Sequence, residues 1–476
     1  MNEVLGLIPS LWNLLQPVNR LPPEILSRIV RHVPDAEARD ARSIVPITHV
    51  CRYWRESIIS TPETWTLICN ESSDLTKLSL ERCKAAHLKL WVDMREDRMN
   101  PGYFDVVSPY IQNTKTLRLD SISTMDELEQ TLHNFPQSMP YLRSLSLTGP
   151  AGDADWDWSR DPCELLASPL TDLHLAHVPL YPSFLRLGTL RVLTLHHFYF
   201  NLPIDTLLDF LEENPLLERA TLAIRFARPS LRDSQRRAAV KNQLQYLWIF
   251  ADDAMDKNAL ISNIAVQKGA HLEITLYDST MGLNDVRSVV STPHLLNLHS
   301  PTLMEYCPDN RRIGLIGPNG SFSFKRPPGT EGPFVEFPLL PLNDVRAFHL
   351  VRPASELEES RLKPLVFPPL SLPALETFSI EYETNASHLL SRLFPNPSFY
   401  PSLRTLAFLD CDLDEGFMEK LTRFSCNRKN TASAWLYRVV IVNSKGNLPS
   451  VASIDALGEH VPVVDVRVGK ELPSDL

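Results

Sequence analysis

From residue 85 onward a six-residue text keeps returning, apolar-x-x-apolar-x-apolar. It reads AAHLKL at 85, TKTLRL at 114, LRSLSL at 142, LTDLHL at 170, LRVLTL at 190, LERATL at 217, LQYLWI at 244 and HLEITL at 271. A second run has VRAFHL at 345, LETFSI at 375, LRTLAF at 403, LYRVVI at 436 and VPVVDV at 461. The steps are 29, 28, 28, 20, 27, 27 and 27, then 30, 28, 33 and 25. Alternation at the end of each motif predicts a short strand. Its fourth and sixth residues face the core, and its third, fifth and seventh face outward. Between strands the apolar spacing turns helical. Helices are predicted over 124–133, opened by a Thr124–Glu127 capping box, and over 203–213, with Leu207, Leu208 and Leu211 on one side. Two more are predicted over 258–268, stopped by Gly269, and over 414–424. Strand and helix alternating at such a period stack parallel strands on one wall and helices on the other. The fold class is therefore α/β.

Residues 21–65 follow a different rhythm, LPPEILSRIVRHVPDAEARDARSIVPITHVCRYWRESIISTPETW. Pro22 and Pro23 suit the first positions of a helix, where a backbone N–H has no partner to lose. Ile25, Leu26, Ile29, Val30 and Val33 form one apolar stripe that Pro34 ends. A short polar helix is expected near 35–42. A third, from about 46 to 60, stacks Val50, Trp54 and Ile58, with Ile47 and Cys51 beside them. Three helices in ~45 residues bury too little surface to stand alone. They need the following chain or a partner to pack against.

This combination, L-P-P-E-I-L-x-x-I followed by V-C-R-x-W-R and T-P-x-x-W, resembles the F-box, in the form common among large fungal families of F-box proteins. The resemblance implies a docking module for the Skp-type adaptor of cullin ubiquitin ligases. It assigns Leu21, Pro22, Pro23, Ile25, Leu26 and Ile29 to adaptor contact and Val50, Cys51 and Trp54 to the module's own core. The repeats resemble the irregular leucine-rich repeats often joined to F-boxes, which implies a curved solenoid. From its residues alone, the helical module also reads as a cap shielding one end of the array. The expected organisation is an extension over 1–17, the F-box-like module over 18–66 and the solenoid over 67–476.

An irregular stretch interrupts the repeats over about 293–342, with GPNG at 317–320 and RPPGTEGP at 326–333. RRIGLI and SFSFKR around the first of these predict a hairpin. The stretch reads either as an irregular repeat with a surface loop or as a specificity insert over the concave wall.

Composition narrows the chemistry. The chain has 47 basic and 57 acidic residues, a formal net charge of −10, where a nucleic-acid binder carries a basic stripe. Only 16 glycines occur among 476 residues, none of them spaced as a dinucleotide fingerprint, and Val464 stands where a phosphate loop ending at Gly469-Lys470 needs its first glycine. Seven cysteines without a C-x-x-C pair predict scattered thiols in a reducing compartment rather than a disulfide framework or zinc site. No basic leader and no run of ~18 apolar residues appears, so a cytoplasmic or nuclear chain without membrane contact is expected.

Asp153, Asp155, Asp157 and Glu164 have calcium-loop spacing, but Trp158 occupies the glycine position and Pro162 intrudes, so an acidic surface loop is expected. His174 and His177, and His196 and His197, lack further ligands at metal spacing. Neither G-x-S-x-G nor H-E-x-x-H occurs. No metal, cofactor or catalytic residue is expected.

Aligning the strands gives the outward face. Position five reads Ser146, His174, Thr194, Thr221, Trp248 and Thr275, and position seven Thr148, Ala176, His196, Ala223, Phe250 and Tyr277. Tyr246, Trp248, Phe250 and Tyr277 break the small or polar pattern. They are either covered by a neighbouring loop or a patch for a protein target. Together with the F-box resemblance, this predicts a non-catalytic adaptor that holds a protein target for a cullin ligase, with an interaction scaffold outside any ligase as the alternative and an enzyme with an unrecognised site as the third reading.

Overall fold

The computed structural model describes residues 16–32, 44–70, 72–95, 102–136, 138–149, 169–178, 180, 184, 187–202, 204–226, 240–241, 243–251, 264–265, 269–276, 301–307, 312–318, 320–325, 342–351, 372–381, 400–411, 413, 415–431, 435–443 and 448–468. The chain divides into two compact units, one of residues 1–201 with 209–217, the other of residues 202–208 with 218–476.

The first unit opens with α1 (Pro23–His32), α2 (Ile44–Thr48) and α3 (Arg52–Ser60). The single third helix expected over 46–60 is two helices, broken at residues 49–51. The polar helix near 35–42 and the calcium-like loop lie outside the described residues. Next come β1 (Leu67–Cys69), α4 (Ser73–Cys83), β2 (Leu88–Asp93), α5 (Tyr103–Val107), β3 (Thr114–Asp120), α6 (Met125–His133), β4 (Ser144–Thr148), β5 (Asp172–Ala176) and β6 (Val192–Leu202). The strands pair in sequence order, every pair parallel.

The leucine text explains this sheet. Leu142, Leu145 and Leu147 are fully buried, as are Leu170, Leu173 and Leu175 in the matching slots of the next repeat. Each such side chain contributes ~1.5–3 kcal/mol on leaving water. The capping box is present in a shifted form. Thr124 Oγ1 accepts the Glu127 amide at 3.1 Å, while Glu127 reaches back to the Ser123 amide at 2.7 Å. Ser121, His177 and Asp410 each follow a strand and adopt φ between 50° and 62°, a left-handed corner at the same place in three repeats.

In the second unit α7 (Ile204–Glu213), which contributes to both units, is followed by β7 (Arg219–Phe226), β8 (Val240–Lys241), β9 (Tyr246–Ala251), β10 (Ile264–Ala265) and β11 (His271–Leu276). Leu207, Leu208 and Leu211 of α7 are buried. Then follow β12 (Leu303–Cys307), β13 (Arg312–Gly317), β14 (Gly320–Lys325), β15 (Ala347–Val351), β16 (Thr377–Glu381), β17 (Thr405–Leu409), α8 (Glu415–Thr431), β18 (Arg438–Asn443), α9 (Val451–Gly458) and β19 (Val463–Val468). Their spatial order is β7, β9, β11, β14, β13, β12, β15, β16, β17, β18, β19. Only β13 runs against its neighbours. Every motif of both runs falls on a strand.

Four expectations change or narrow. Residues 264–265 are the strand β10, paired with β8, where the helix over 258–268 was expected. Of the two readings of 293–342, the irregular repeat fits the described part. Both β13 and β14 form the expected hairpin, with Gly317 opposite Gly320, and continue the sheet between β11 and β12. Residues 293–300 and 326–341 lie outside the described residues. The helix expected over 414–424, α8, runs on to Thr431 because its polar residues find partners. Ser425 donates to the Leu421 carbonyl at 2.8 Å, and the buried Arg428 guanidinium donates to the carbonyls of Tyr400 and Leu403 at 3.1 and 3.0 Å.

The fourth change is register. His271 pairs with Tyr246 and Trp91 with Arg118, so the β11 motif begins two residues earlier than read, at 269, and the β2 motif two residues later, at 87. A two-residue slip leaves every side chain on its own face but moves it one row along the strand. Trp248 therefore stands beside Glu273, and Phe250 beside Thr275.

Candidate functional site

Two surfaces gather the residues singled out in the sequence. The first is on the helical module. Backbone amides of Ile25 and Leu26 donate to the Pro22 carbonyl at 3.0 and 3.1 Å, which starts α1. Its apolar stripe then divides. Leu26 and Val30 are fully buried, while Ile25 and Ile29, one turn apart, are each 39% exposed beside exposed Pro22 and Pro23. Leu26 is thus corrected from a docking residue to a core residue, because the inner edge of the stripe packs against the rest of the module.

Val50 is corrected the other way. It falls in the break between α2 and α3 and is 57% exposed, so it does not build the core. Cys51 and Trp54 are half-buried, and both lean on Asn19. The indole Nε1 of Trp54 donates to Asn19 Oδ1 at 2.6 Å, and the Cys51 thiol approaches it at 3.8 Å. Tyr53 Oη donates to the carbonyl of half-buried Leu21 at 2.6 Å. These contacts clamp the turn Pro17–Arg20 and Leu21 onto α3, which fixes where α1 begins. The sequence reading passed over Asn19 and Tyr53. The apolar residues left exposed, Val18, Ile25, Ile29, Val50 and Ile59, are many for so small a module.

The second surface is the outward face of β9 and β11. Tyr246, Trp248 and Phe250 are half-buried on one strand. Tyr246 stacks on His271, ring centroids 5.3 Å apart at 14°, and its hydroxyl donates to Glu273 Oε2 at 3.2 Å. Trp248 Nε1 donates to Thr275 Oγ1 at 2.9 Å, and the indole meets Phe250 edge to face at 6.5 Å. Tyr277 lies outside the described residues. The structure brings the three aromatics of β9 into one row with their polar ends satisfied, a rigid surface with apolar faces partly open.

On the first unit the matching face carries Trp91, Arg118, Asp120, His174 and His196. Trp91 Nε1 donates to Asp120 Oδ2 at 2.9 Å, and the Arg118 guanidinium lies 4.5 Å over the indole while binding Asp120 through Nε. His174 and His196 face each other with ring centroids 5.6 Å apart. Burial, then the His196 and Arg118 charges, push His174 down to about 4, against the pull of Asp120. Burial lowers His177 and His196 as well.

A histidine whose folded value lies below its ordinary one near 6.5 stabilises the fold above that pH. The contribution is lost as the pH falls from about 6.5 towards 4, because the unfolded chain takes up the proton first. Urea unfolding of the chain should therefore weaken across that interval, and His174→Gln should make the decline visibly shallower. An unchanged decline would show that His174 titrates normally.

Between α8 and α9 lies an open groove of about 670 Å³ lined by Met418, Thr422, Cys426, Ser453, Ala456 and His460. Among the described residues no helix is long and apolar enough to cross a membrane. Cys51, Cys69, Cys83, Cys411 and Cys426 carry free thiols.

Comparison with protein families gives a match over part of the chain. Residues 18–71 match the F-box-like family, which contains the exposed ridge of α1 and the clamp on Leu21. An F-box-like module points to an adaptor-type protein rather than an enzyme, with a Skp-type adaptor as its kind of partner. No curated protein matches the chain.

Proposed function

We propose that the chain is the substrate-recognition adaptor of a cullin-type ubiquitin ligase of the SCF kind, working in the cytoplasm or nucleus. The observation that carries the reading is the exposed Pro22, Pro23, Ile25 and Ile29 ridge inside the F-box-like match. Docked on a Skp-type adaptor and through it on a cullin, the module fixes one end of the chain. The repeat-like sheet, read as a leucine-rich-repeat solenoid, then holds a protein target. Ubiquitin transfer belongs to other subunits, and this chain's contribution is positional: a chance encounter becomes a tethered one. Affinity capture of the chain tests the reading. Adaptor and cullin together support it, and adaptor without cullin points to a scaffold outside any ligase.

The target surface is assigned to the aromatic row. Trp248 and Phe250 present large area at little cost in side-chain entropy, as residues that dominate interfaces do. Trp248→Ser with Phe250→Ser should leave adaptor capture intact and lower the melting temperature by only a few degrees. It should also remove the proteins that a ridge-disabled variant captures in a mass-spectrometric comparison. A sharp fall in melting temperature would assign the pair to the core instead.

A further inference from the structure

Among the described residues β19 stands at an edge of the second unit's sheet, forming a ladder with β18 and with no other strand. Its core-facing residues show the consequence. In β17 and β18 the matching slots, Leu406 and Phe408, then Val439 and Ile441, are 0% exposed. In β19 Val464 and Val466 are only half-buried, and Val468 is 65% exposed. Stacked repeats bury one another, so a repeat left at the edge of a sheet needs a cover.

The ladder to β18 decides which backbone groups are open. Val463 donates its amide to the Tyr437 carbonyl at 3.1 Å, so residues 463, 465 and 467 turn towards β18. Residues 464, 466 and 468 direct their N–H and C=O groups to the open side. On the outward face Asp465 is bound by Arg467 at 2.7 Å and by Arg438 at 3.2 Å, which hold its carboxyl below the usual carboxylate range.

We infer that the cover is a second copy of this chain, with the two β19 strands pairing antiparallel about a two-fold axis at Val466. Val466 then meets Val466 of the second copy, and Val464 meets Val468, in hydrogen-bonded pairs that use the open backbone groups. Asp465 falls opposite Arg467 of the second copy, twice, in the closer pairs of the ladder, ~4.5 Å between Cα atoms. Moving the register by two residues either way sets Asp465 against Asp465 or Arg467 against Arg467, and like charges directly opposite destabilise a ladder. A lone charge on an edge strand guards against pairing. Two opposite charges at this spacing instead select one register and one partner.

Sedimentation equilibrium of the full chain over micromolar concentrations tests the inference, with thermal melting as the control for folding. The wild-type chain should be a dimer. Asp465→Arg and Arg467→Asp should each weaken the dimer by at least about tenfold, since each turns two attractions into two repulsions. The double exchange should restore it, and Val466→Pro, which removes an edge amide, should give a monomer. A wild-type monomer at every concentration would overturn the inference. So would a dimer that neither single reversal weakens.

Discussion

Ile25→Asp with Ile29→Asp should leave the chain folded and abolish co-purification with a Skp-type adaptor. Both side chains are 39% exposed on α1, whereas Leu26 and Val30 behind them are 0% exposed. Aspartate at two outward helix positions costs the fold only ~0.7 kcal/mol each in propensity. At an apolar interface the cost is far larger. Two isoleucine contacts are lost, at ~1.5 kcal/mol or more apiece, and two carboxylates lose water without a partner. Adaptor affinity should fall by at least about a thousandfold, since 1.4 kcal/mol is a factor of ten. Leu26→Asp is the contrast, because it should unfold the module and lower the melting temperature sharply. Binding by the double variant within a few-fold of wild type would refute the docking assignment.

Much of the sheet is legible in the chain because leucine at alternate positions has one use. On a strand with a buried face it points inward, and a periodic text places each strand in turn. Register is less legible where three apolar residues alternate instead of two. In β11 Leu272, Ile274 and Leu276 offer two ways to choose the inward pair, and Leu88, Leu90 and Val92 of β2 do the same. Parity survives either choice, so the outward face was read with its rows misaligned. Pairing with the neighbouring strand settles the row, and that is not local information. The same holds for β13, whose hairpin turn is written locally while its neighbours β12 and β14 are set by the whole sheet.

The helical module shows a different limit. Five apolar residues make a stripe wider than one contact, and spacing alone cannot divide Leu26 and Val30 from Ile25 and Ile29. The division depends on what packs behind the helix. Val50 was misplaced because the helix breaks before Arg52, at residues that carry neither glycine nor proline. Asn19 and Tyr53 went unnoticed for a related reason. Each acts through one polar atom on a residue more than thirty positions away.

Trp65→Ala should cost the fold more than any other change to alanine or serine proposed above, because two patterns end and begin on that side chain. It closes the T-P-x-x-W text of the helical module. It also occupies the first apolar slot before β1, with Ile68 and Asn70 in the fourth and sixth. It is 2% exposed. Its Nε1 donates to the Ile58 carbonyl at 2.9 Å, where Thr64 Oγ1 also bonds at 3.0 Å, so the indole helps close the end of α3. On its other side the Arg82 guanidinium of α4 lies 4.3 Å from the ring centroid. Alanine would leave a cavity of indole size, lose a buried hydrogen bond and release a cation from its aromatic face. Large-to-small changes of this kind cost ~3–5 kcal/mol, a large share of the stability of an ordinary domain. Trp65→Phe keeps most of the volume and should lose ~1–2 kcal/mol through the missing N–H. Chemical denaturation followed by far-ultraviolet circular dichroism reads both. Because Trp65 joins the helices to the sheet within one unit, the alanine variant should weaken adaptor binding along with the fold. If Trp65→Ala melts within a degree of wild type, the module and the sheet are held together by something other than this side chain.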